Sequence, residues 1–305
     1  MPLASVIIAT HARPQLLLRA VESARASASD VEVIVVDDAS KDETAELCSR
    51  LSGIRYVRIE RNQKVAGARN VGIAVSTGEY LTFLDDDDAR LPGSLALQVE
   101  QLERCPDVGL SYGQAVYGDQ LGRHTDRVYP RAGPEGDIFW NLLAQNFIPC
   151  GAAVFRRSCV TRLGLLDDTM PGLDDWDLWI RIAELYPIVA LREPVLLWRE
   201  STPDSKQGTS DAAHLVARAA SEFKRSWIKL PKAASASIEI RRAAWRRFSE
   251  NMLEHLLWQS ARALRRGHPL QPLKNCAVIP RLDYFAALRV ARHRLSSRAA
   301  EIERS

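Results

Sequence analysis

Four consecutive aspartates, Asp85 to Asp88, follow an apolar run that ends at Leu84. Like charges this close raise one another's pKa values and destabilise a fold unless a cation compensates them. Alternate residues of an extended segment project to the same side, so we expect Asp85 and Asp87 to face one ligand while Asp86 and Asp88 point elsewhere. Mg²⁺ and Mn²⁺ favour such oxygen ligands and accept phosphate oxygens in their remaining positions. The pattern predicts a site for a divalent cation and a diphosphate, with a solvated acidic turn as the alternative.

A second acidic group, formed by Asp174, Asp175 and Asp177, opens a predicted helix further along the chain. A single aspartate is enough to cap a helix N-terminus, so capping alone does not require three of them. A spare carboxylate that faces the cation site is a candidate general base, able to take a proton from a hydroxyl nucleophile.

The elements that must position these carboxylates follow from the hydrophobic pattern. Short apolar runs alternate with helical patterns over residues 1–90, which is typical of a doubly wound α/β sheet. Strands are predicted over residues 5–9, 31–36, 54–59 and 80–84, and helices are predicted from Pro14, from a capping box at Ser40–Glu43 and from Ala66. Binding and catalytic residues in such sheets concentrate at the carboxyl ends of the strands. The residues at these positions are Thr10 to Arg13, Asp37 with Asp38, and the four aspartates.

Residues 91–211 show a mixed pattern, with predicted helices near 95–102 and from Asp174, and predicted strands near 109–117, 152–155 and 194–198. The net charge of +3 conceals a split between this body and the tail. Residues 212–305 hold 19 Lys and Arg against 7 Asp and Glu, whereas residues 1–211 carry a net charge of −9. Apolar residues at helical spacing between the arginines predict a basic helical tail. Such a tail packs against the acidic body or lies on an anionic membrane surface.

Two compositional features bear on location. No apolar stretch is long enough to span a membrane, and the five cysteines include no C-x-x-C pair for zinc, redox chemistry or a disulfide framework. We therefore expect a cytoplasmic protein, or one held peripherally on the inner face of a membrane.

Four segments, in order, resemble the family 2 glycosyltransferases of the GT-A fold, which are inverting enzymes. The segments are SVIIATHARP, VIVVDDASKDET, KVAGARNVGIAVSTGEYLTFLDDDDARLPGSL and VFRRSCVTRLGLLDDTMPGLDDWDLWIRI. The resemblance implies a Rossmann-like mixed sheet flanked by helices over residues 1–211, with a nucleotide-binding half at about 1–90 and an acceptor half at about 91–211. Residues 212–305 would form a basic helical extension. The implied activity is metal-dependent transfer of a sugar, of the hexosyltransferase type, from a nucleotide-sugar donor to a saccharide or lipid-linked acceptor in cell-envelope polysaccharide or glycolipid synthesis.

The same resemblance implies a nucleotide pocket. Thr10 and Arg13 would line it, and Asp38 would accept a hydrogen bond from a uracil-type base, with Asp37 beside it. Arg69 would meet the diphosphate. UDP is the commonest donor nucleotide for this resemblance, and dTDP and GDP remain alternatives.

The metal and catalytic residues are also implied by the resemblance. Asp87 would bind Mn²⁺ or Mg²⁺ directly, while Asp85 would contact the metal or the ribose. Asp85 and Asp86 are both assigned to the nucleotide site. Asp175 matches the acidic residue proposed as catalytic base, with Asp174 as its neighbour and substitute.

The sequence departs from the family pattern at two places. Many members carry Tyr-Asn or a similar pair where this chain has His11 and Ala12. Many also place a metal-contacting histidine a few residues after the final strand arginine, whereas Arg199 here is followed by Glu-Ser-Thr-Pro-Asp-Ser.

Two other functions share part of the pattern. A haloacid-dehalogenase-like phosphohydrolase also uses Asp-x-Asp after an apolar strand, but its motif continues to a threonine where this chain has Ala89. A catalytically silent nucleotide-sugar-binding protein would not need the acidic pair Asp174 and Asp175. The tail lacks interleaved aromatic residues and zinc-type reader motifs, so we expect no nucleic-acid partner.

Overall fold

The computed structural model describes residues 3–119, 123–199, 211–283 and 285–290. The chain divides into two compact units. Among the described residues, the first unit comprises 3–139 and 146–199, and the second comprises 140–145 and 211–290 without residue 284.

The first part of the first unit alternates strands and helices. In chain order the elements are β1 (Ala4–Thr10), α1 (Pro14–Ala26), β2 (Val31–Asp38), α2 (Thr44–Arg50), β3 (Arg55–Ile59), α3 (Lys64–Val75) and β4 (Tyr80–Asp85). Each of the four strands predicted in residues 1–90 is confirmed to within two residues at either end. The apolar runs predicted the ends of these strands accurately because a strand that is buried on both faces has a nearly continuous hydrophobic sequence.

The rest of the described chain up to Arg199 forms a second group of elements. These are β5 (Ala89–Arg90), α4 (Ser94–Arg104), β6 (Leu110–Gly118), β7 (His124–Tyr129), α5 (Phe139–Ala144), β8 (Ala153–Arg156), α6 (Arg157–Leu163), α7 (Asp174–Leu185) and β9 (Ile188–Arg199). The sequence pattern did not predict β5 or β7, because a two-residue strand and a largely polar strand carry no clear hydrophobic period.

One mixed sheet organises the first unit. Its strand order is β3-β2-β1-β4-β8-β6-β9-β5, with β7 paired to β6. Strands β1 to β4 are mutually parallel, and β8 runs antiparallel to both β4 and β6. The predicted α/β class with a mixed sheet flanked by helices is therefore confirmed.

Close packing in the core holds the parallel half of the sheet in place. Val6, Ile7 and Ile8 of β1 are fully buried between the flanking helices. Gly72 of α3 lies against β1 so closely that a Cβ there would stand 2.2 Å from Cγ2 of Ile7. The strand ends that carry the polar residues are thus held by close packing behind them.

The predicted capping box at Ser40–Glu43 is not formed. Helix α2 begins at Thr44, and no side chain caps it in the way predicted. The Ser40 hydroxyl instead accepts the Ala12 N–H at 2.9 Å, and Asp42 accepts from the backbone and hydroxyl of Thr44. The hydroxyl that the local motif assigned to capping therefore ties together the loops that follow β1 and β2.

The described part of the second unit beyond residue 210 is helical. Its helices are α8 (Ala212–Arg225), α9 (Pro231–Ala234), α10 (Ile238–Arg265) and α11 (Gln271–Cys276), and a last helical stretch covers residues 286–290. Phe223, Trp245 and Phe248 form an aromatic cluster with ring centroids 5.0–5.4 Å apart. Among the described helices, none combines the length and apolar character that crossing a bilayer requires.

Candidate active site

The carboxyl ends of the parallel strands bring most of the predicted site residues to one edge of the sheet. Thr10 at the end of β1 is in register with Asp37 of β2, and Ala9 is in register with Asp85 of β4. Polar groups from three different strands therefore meet where a parallel sheet offers its binding crevice.

The four aspartates form a tight turn rather than an extended segment. The Asp88 N–H donates to the Asp85 carbonyl at 3.1 Å, which closes a four-residue turn. This turn carries Asp88 to the side of Asp85 and Asp87, and carboxylate oxygens of the three residues lie within 4.8 Å of one another. The prediction that Asp88 points elsewhere was wrong, because alternation holds only for an extended chain. The three carboxylates could together hold a metal ion.

Asp86 does not belong to that group of three carboxylates. Its carboxylate accepts from the Thr10 hydroxyl at 2.7 Å and from the Arg13 guanidinium at 2.9 Å. Arg13 also reaches Asp87 at 3.3 Å. Asp86 thus fixes the two residues predicted to line the nucleotide pocket and connects them to the carboxylate group.

Asp37 and Asp38 have different surroundings. Asp37 is fully buried, and its two oxygens accept from the Ser40 backbone at 2.8 Å and from the Tyr56 hydroxyl at 2.7 Å. Asp38 accepts from the Gln63 backbone through Oδ1 at 2.7 Å. The contacts of Asp37 therefore shape the loop after β2, and Asp38 stands one residue further out at the strand end.

Arg69 bridges the two acidic groups. One arm of its guanidinium donates to Asp85 at 2.7 Å and the other donates to Asp174 at 2.8 Å. Arg69 is 5% exposed, so both contacts are made away from bulk water, where charge-assisted hydrogen bonds are strong. Arg69 thereby contacts a residue that lies 105 positions later in the chain.

The acidic pair at the start of α7 is not symmetric. Asp174 is buried, and its two oxygens accept from Arg69 and from the Gly172 backbone. Asp175 is partly exposed, and its Oδ1 accepts from the Trp176 backbone at 2.7 Å. Desolvation of its carboxylate by the surrounding protein, reinforced by the neighbouring Asp174 charge, raises the pKa of Asp175 to about 7. A carboxylate of that basicity suits proton transfer near neutral pH.

The carboxylate group carries unfavourable electrostatics of its own. Burial, followed by the charges of Asp85 and Asp86, raises the pKa of Asp87 to about 7, although Arg13 opposes this shift. A bound cation would relieve the same repulsion, which is the usual physical signature of a carboxylate metal site.

Two buried arginines were given no role by the sequence pattern. Arg199, at the end of β9, donates its backbone N–H to Asp88 at 3.1 Å, and its Nε and Nη2 are buried with no hydrogen-bond partner in the described part of the chain. Arg90 is 2% exposed and donates to the Thr82 hydroxyl and the Gly151 carbonyl, both at 2.9 Å. The sequence could have pointed to Arg90 only through its position just after the aspartates. It could have pointed to Arg199 only through its position at the end of a strand.

Three non-glycine residues with left-handed backbone conformation surround the edge. Ala12, Ala39 and Lys64 have φ values of 54°, 61° and 64°. Each such residue costs roughly 1 kcal/mol, and such conformations persist where surrounding contacts impose them. Here the imposing contacts include the Ser40 hydroxyl on Ala12 and the Asp38 carboxylate on Gln63.

Comparison with known proteins identifies the family. The family model described as glycosyl transferase family 2 matches residues 5–163. The glucosyltransferase WfaP of Escherichia coli is 32% identical over 191 residues, covering 60% of this chain and 70% of that protein. An uncharacterized glycosyltransferase of Haemophilus influenzae is 27% identical over 184 residues, covering 59% of this chain and 62% of its own length. The chain therefore spans about six tenths of that relative.

Solved structures extend the likeness to the fold. The mannosyltransferase PcManGT from Pyrobaculum calidifontis, solved with GDP-Man and Mn²⁺, has a TM-score of 0.58 at 21% identity, covering 95% of this chain and 87% of that one. S. aureus TarS 1-349, solved with UDP-GlcNAc, has a TM-score of 0.57 at 14% identity, covering 91% and 88%.

The mixed sheet and its acidic edge define a protein of the GT-A glycosyltransferase fold, which confirms the expected architecture. The chain belongs to glycosyl transferase family 2.

Proposed function

We propose that the protein transfers a sugar, with inversion, from a nucleotide-diphosphate sugar to a hydroxyl of a saccharide or lipid-linked acceptor. The observation that carries this proposal is the convergence of Asp85, Asp87 and Asp88 beside Asp175, with Arg69 joining the two groups. Displacement of a diphosphate by a hydroxyl needs a cation beside the leaving group and a base for the hydroxyl proton. A cation site next to a carboxylate of raised pKa would provide both.

The relatives support a nucleotide-sugar donor and a role in polysaccharide synthesis. WfaP is named for transfer from UDP-Glc to a diphosphoundecaprenol-linked GlcNAc, and the Rhizobium meliloti relative ExoO, 34% identical over 105 residues, is named for succinoglycan biosynthesis. We take a UDP-sugar as the donor, with GDP-sugar as the alternative suggested by PcManGT. A nucleotide pocket at Thr10, Arg13 and Asp38 is part of this proposal.

The carboxylate ligands of the turn suit Mg²⁺ or Mn²⁺. Asp85, Asp87 and Asp88 offer only hard oxygen ligands, and their mutual proximity leaves a concentration of negative charge that a divalent ion would neutralise. When bound, the ion supplies electrostatic stabilisation of the charge that develops on the departing diphosphate.

Asp175 is the proposed general base and takes the proton from the acceptor hydroxyl. Asp174 is less suited to this role because Arg69 and the Gly172 backbone already occupy its oxygens. Arg69 acts as a positioning residue, since its two arms fix the separation between the cation-binding carboxylate Asp85 and the helix that carries Asp175.

The phosphohydrolase alternative loses support from the family assignment, since residues 5–163 match glycosyl transferase family 2. A silent nucleotide-sugar-binding protein would bind the donor without turnover. We propose an active enzyme instead, because Asp175 is exposed enough to be reached and has the basicity that a proton acceptor needs. We also place the protein on the cytoplasmic side of a membrane, where a lipid-linked acceptor would be presented.

The test of this function is calorimetric binding of UDP with and without Mn²⁺, followed by measurement of UDP release from UDP-sugars in the presence of candidate acceptors. Cation-dependent binding together with acceptor-dependent UDP release is the expected result. Binding without any turnover across the donor and acceptor panel would favour the silent binder. Absence of binding to UDP and GDP under every condition would contradict the nucleotide site.

Stability should depend on pH and on the cation together. The folded pKa of Asp87 is about 7, above the value of about 4 in an unfolded chain, so the folded metal-free protein binds more protons than the unfolded one between these limits. Its stability therefore falls as pH rises through this window. Because a divalent ion binds the deprotonated carboxylates, Mn²⁺ should raise the Tm clearly at about pH 8 and little at about pH 5.

Thermal denaturation at both pH values, with and without Mn²⁺, checks this expectation. Asp107→Asn, which changes an exposed aspartate outside the site, is the matched control and should keep the wild-type pattern. An equal Tm increase at both pH values would indicate cation binding elsewhere.

A further inference from the structure

The helical second unit exposes a set of large aliphatic and aromatic side chains. Leu257 and Leu264 lie seven residues apart on α10 and so share one face, and Leu270 and Leu273 lie one helical turn apart at α11. Phe285 and Leu288 repeat the spacing in the last described stretch. Their exposed fractions run from 39% to 68%. We refer to these six residues as the apolar face.

Four of these six residues lie in a basic stretch of the chain. Residues 255–282 contain five Lys and Arg and no Asp or Glu. The five are Arg262, Arg265, Arg266, Lys274 and Arg281. A segment that combines exposed leucines with only positive charge matches the composition of helices that lie in the interface of an anionic bilayer.

A shallow groove adds a place for a phosphate group. It lies between α8 and the segment that follows α10, has a volume of about 350 Å³, and is lined by His214, Lys274 and Arg281 among others. The one acid that lines it, Asp211, accepts from the Ala213 backbone and from Gln271, both at 3.0 Å, as it caps α8. The side chains of Lys274 and Arg281 are exposed and therefore accessible to an external anion.

The positive charge of this surface favours an anionic membrane over the other partners that it could bind. A second copy of the chain that paired through this same surface would bring the positive segment against itself, which like-charge repulsion opposes. A single-stranded nucleic acid would need a series of aromatic stacking platforms. Here five exposed leucines outnumber the two exposed aromatic residues, Trp258 and Phe285. A bilayer that contains anionic lipids satisfies both features, because its headgroups neutralise the cations and its acyl boundary receives the leucines.

We propose that the apolar face and the groove at Lys274 and Arg281 dock the protein onto an anionic lipid membrane, with lipid phosphate as the group that the two cations bind. This docking deepens the proposed use of a lipid-linked acceptor. It does not depend on the transfer reaction, so membrane binding and nucleotide binding succeed or fail separately.

The experiment is co-flotation of the full chain with phosphatidylcholine vesicles, either pure or containing about 30% phosphatidylglycerol. We expect binding to the anionic vesicles that weakens as salt rises above about 0.15 M, and at least tenfold less binding to the neutral ones. Leu270→Ser with Leu273→Ser, and separately Lys274→Gln with Arg281→Gln, should each reduce binding to anionic vesicles about tenfold.

Matched variants in the first unit provide the controls. Leu97→Ser with Leu165→Ser removes two comparably exposed leucines, and Arg50→Gln with Arg104→Gln removes two exposed arginines. Both should bind vesicles as the wild type does, and a circular dichroism spectrum and a Tm like those of the wild type show for every variant that the fold is retained.

Three outcomes would overturn the proposal. They are no flotation with anionic vesicles, equal losses in the control and test variants, and a concentration-dependent dimer in light scattering that the two leucine substitutions abolish while vesicle binding stays unchanged. Inorganic phosphate that binds in calorimetry and loses its binding in Lys274→Gln with Arg281→Gln, while flotation of that variant stays unchanged, would assign the groove to a free anion instead.

Discussion

Asp87→Asn should abolish the cation-dependent part of nucleotide binding. Asp87 lies between Asp85 and Asp88 in the turn, and its carboxylate is the member of the group on which burial and neighbouring charge act most clearly. Asparagine keeps the shape of the side chain but removes the charge that attracts a hard divalent ion. We expect the affinity for UDP in the presence of Mn²⁺ to fall at least about 100-fold, to the level seen without the ion.

Titration calorimetry with and without Mn²⁺ measures this effect. A comparison of Asp88→Asn with Asp86→Asn tests the turn itself. Asp88 belongs to the carboxylate group, so its substitution should weaken the response to Mn²⁺. Asp86 holds Thr10 and Arg13, so its substitution should weaken nucleotide binding equally with and without the ion. If Asp87→Asn retains full Mn²⁺-dependent binding, the ion is held elsewhere.

Asp175→Asn should abolish turnover and leave donor binding nearly unchanged. Asparagine cannot take the proton from the acceptor hydroxyl, and general-base catalysis contributes roughly 10²- to 10⁴-fold to a rate. Since Asp175 is not part of the carboxylate group that would hold the cation, the affinity for UDP with Mn²⁺ should change less than about threefold. Measurement of kcat beside calorimetric UDP binding separates the two effects.

The pH profile of the wild type provides a second readout for the same residue. Asp175 acts as a base only when deprotonated, and its folded pKa is about 7. The rate should therefore rise as pH increases through about 7 and level off above it. Asp174→Asn is the informative companion variant, because it removes the partner of Arg69 and should impair both donor binding and thermal stability.

Either of two results would contradict this role. Turnover that survives in Asp175→Asn at more than about a tenth of the wild-type rate would assign the proton transfer to another group. Loss of UDP binding together with turnover would make Asp175 part of the donor site instead.

The positions of the strands and helices followed from the sequence because the signals are local. The apolar run at residues 5–9 predicted β1, which spans Ala4–Thr10, and Pro14 marked the start of α1. Once the first strands are known to be parallel, their carboxyl ends must meet, so Thr10, Asp38 and Asp85 were expected at one edge without knowledge of any contact between them.

The local signals failed where a distant partner decides the conformation. Ser40 looked like a helix cap, but its hydroxyl binds the Ala12 backbone across the sheet edge. Asp88 looked directed away from Asp85, but a hydrogen bond within the turn brings it back, and the Arg199 backbone 111 residues later holds its carboxylate.

The sequence by itself determined the α/β class, the family and the edge of the sheet at which the acidic residues gather. Only the tertiary structure decided which carboxylates act together, because a pattern of residue types carries no information about which side chain reaches which. Arg69 is the clearest example: the three residues before it in the sequence are small and apolar, yet its two arms join Asp85 to Asp174. That pairing depends on α3 and α7 being placed beside the end of β4, and their placement is set by how the whole sheet packs.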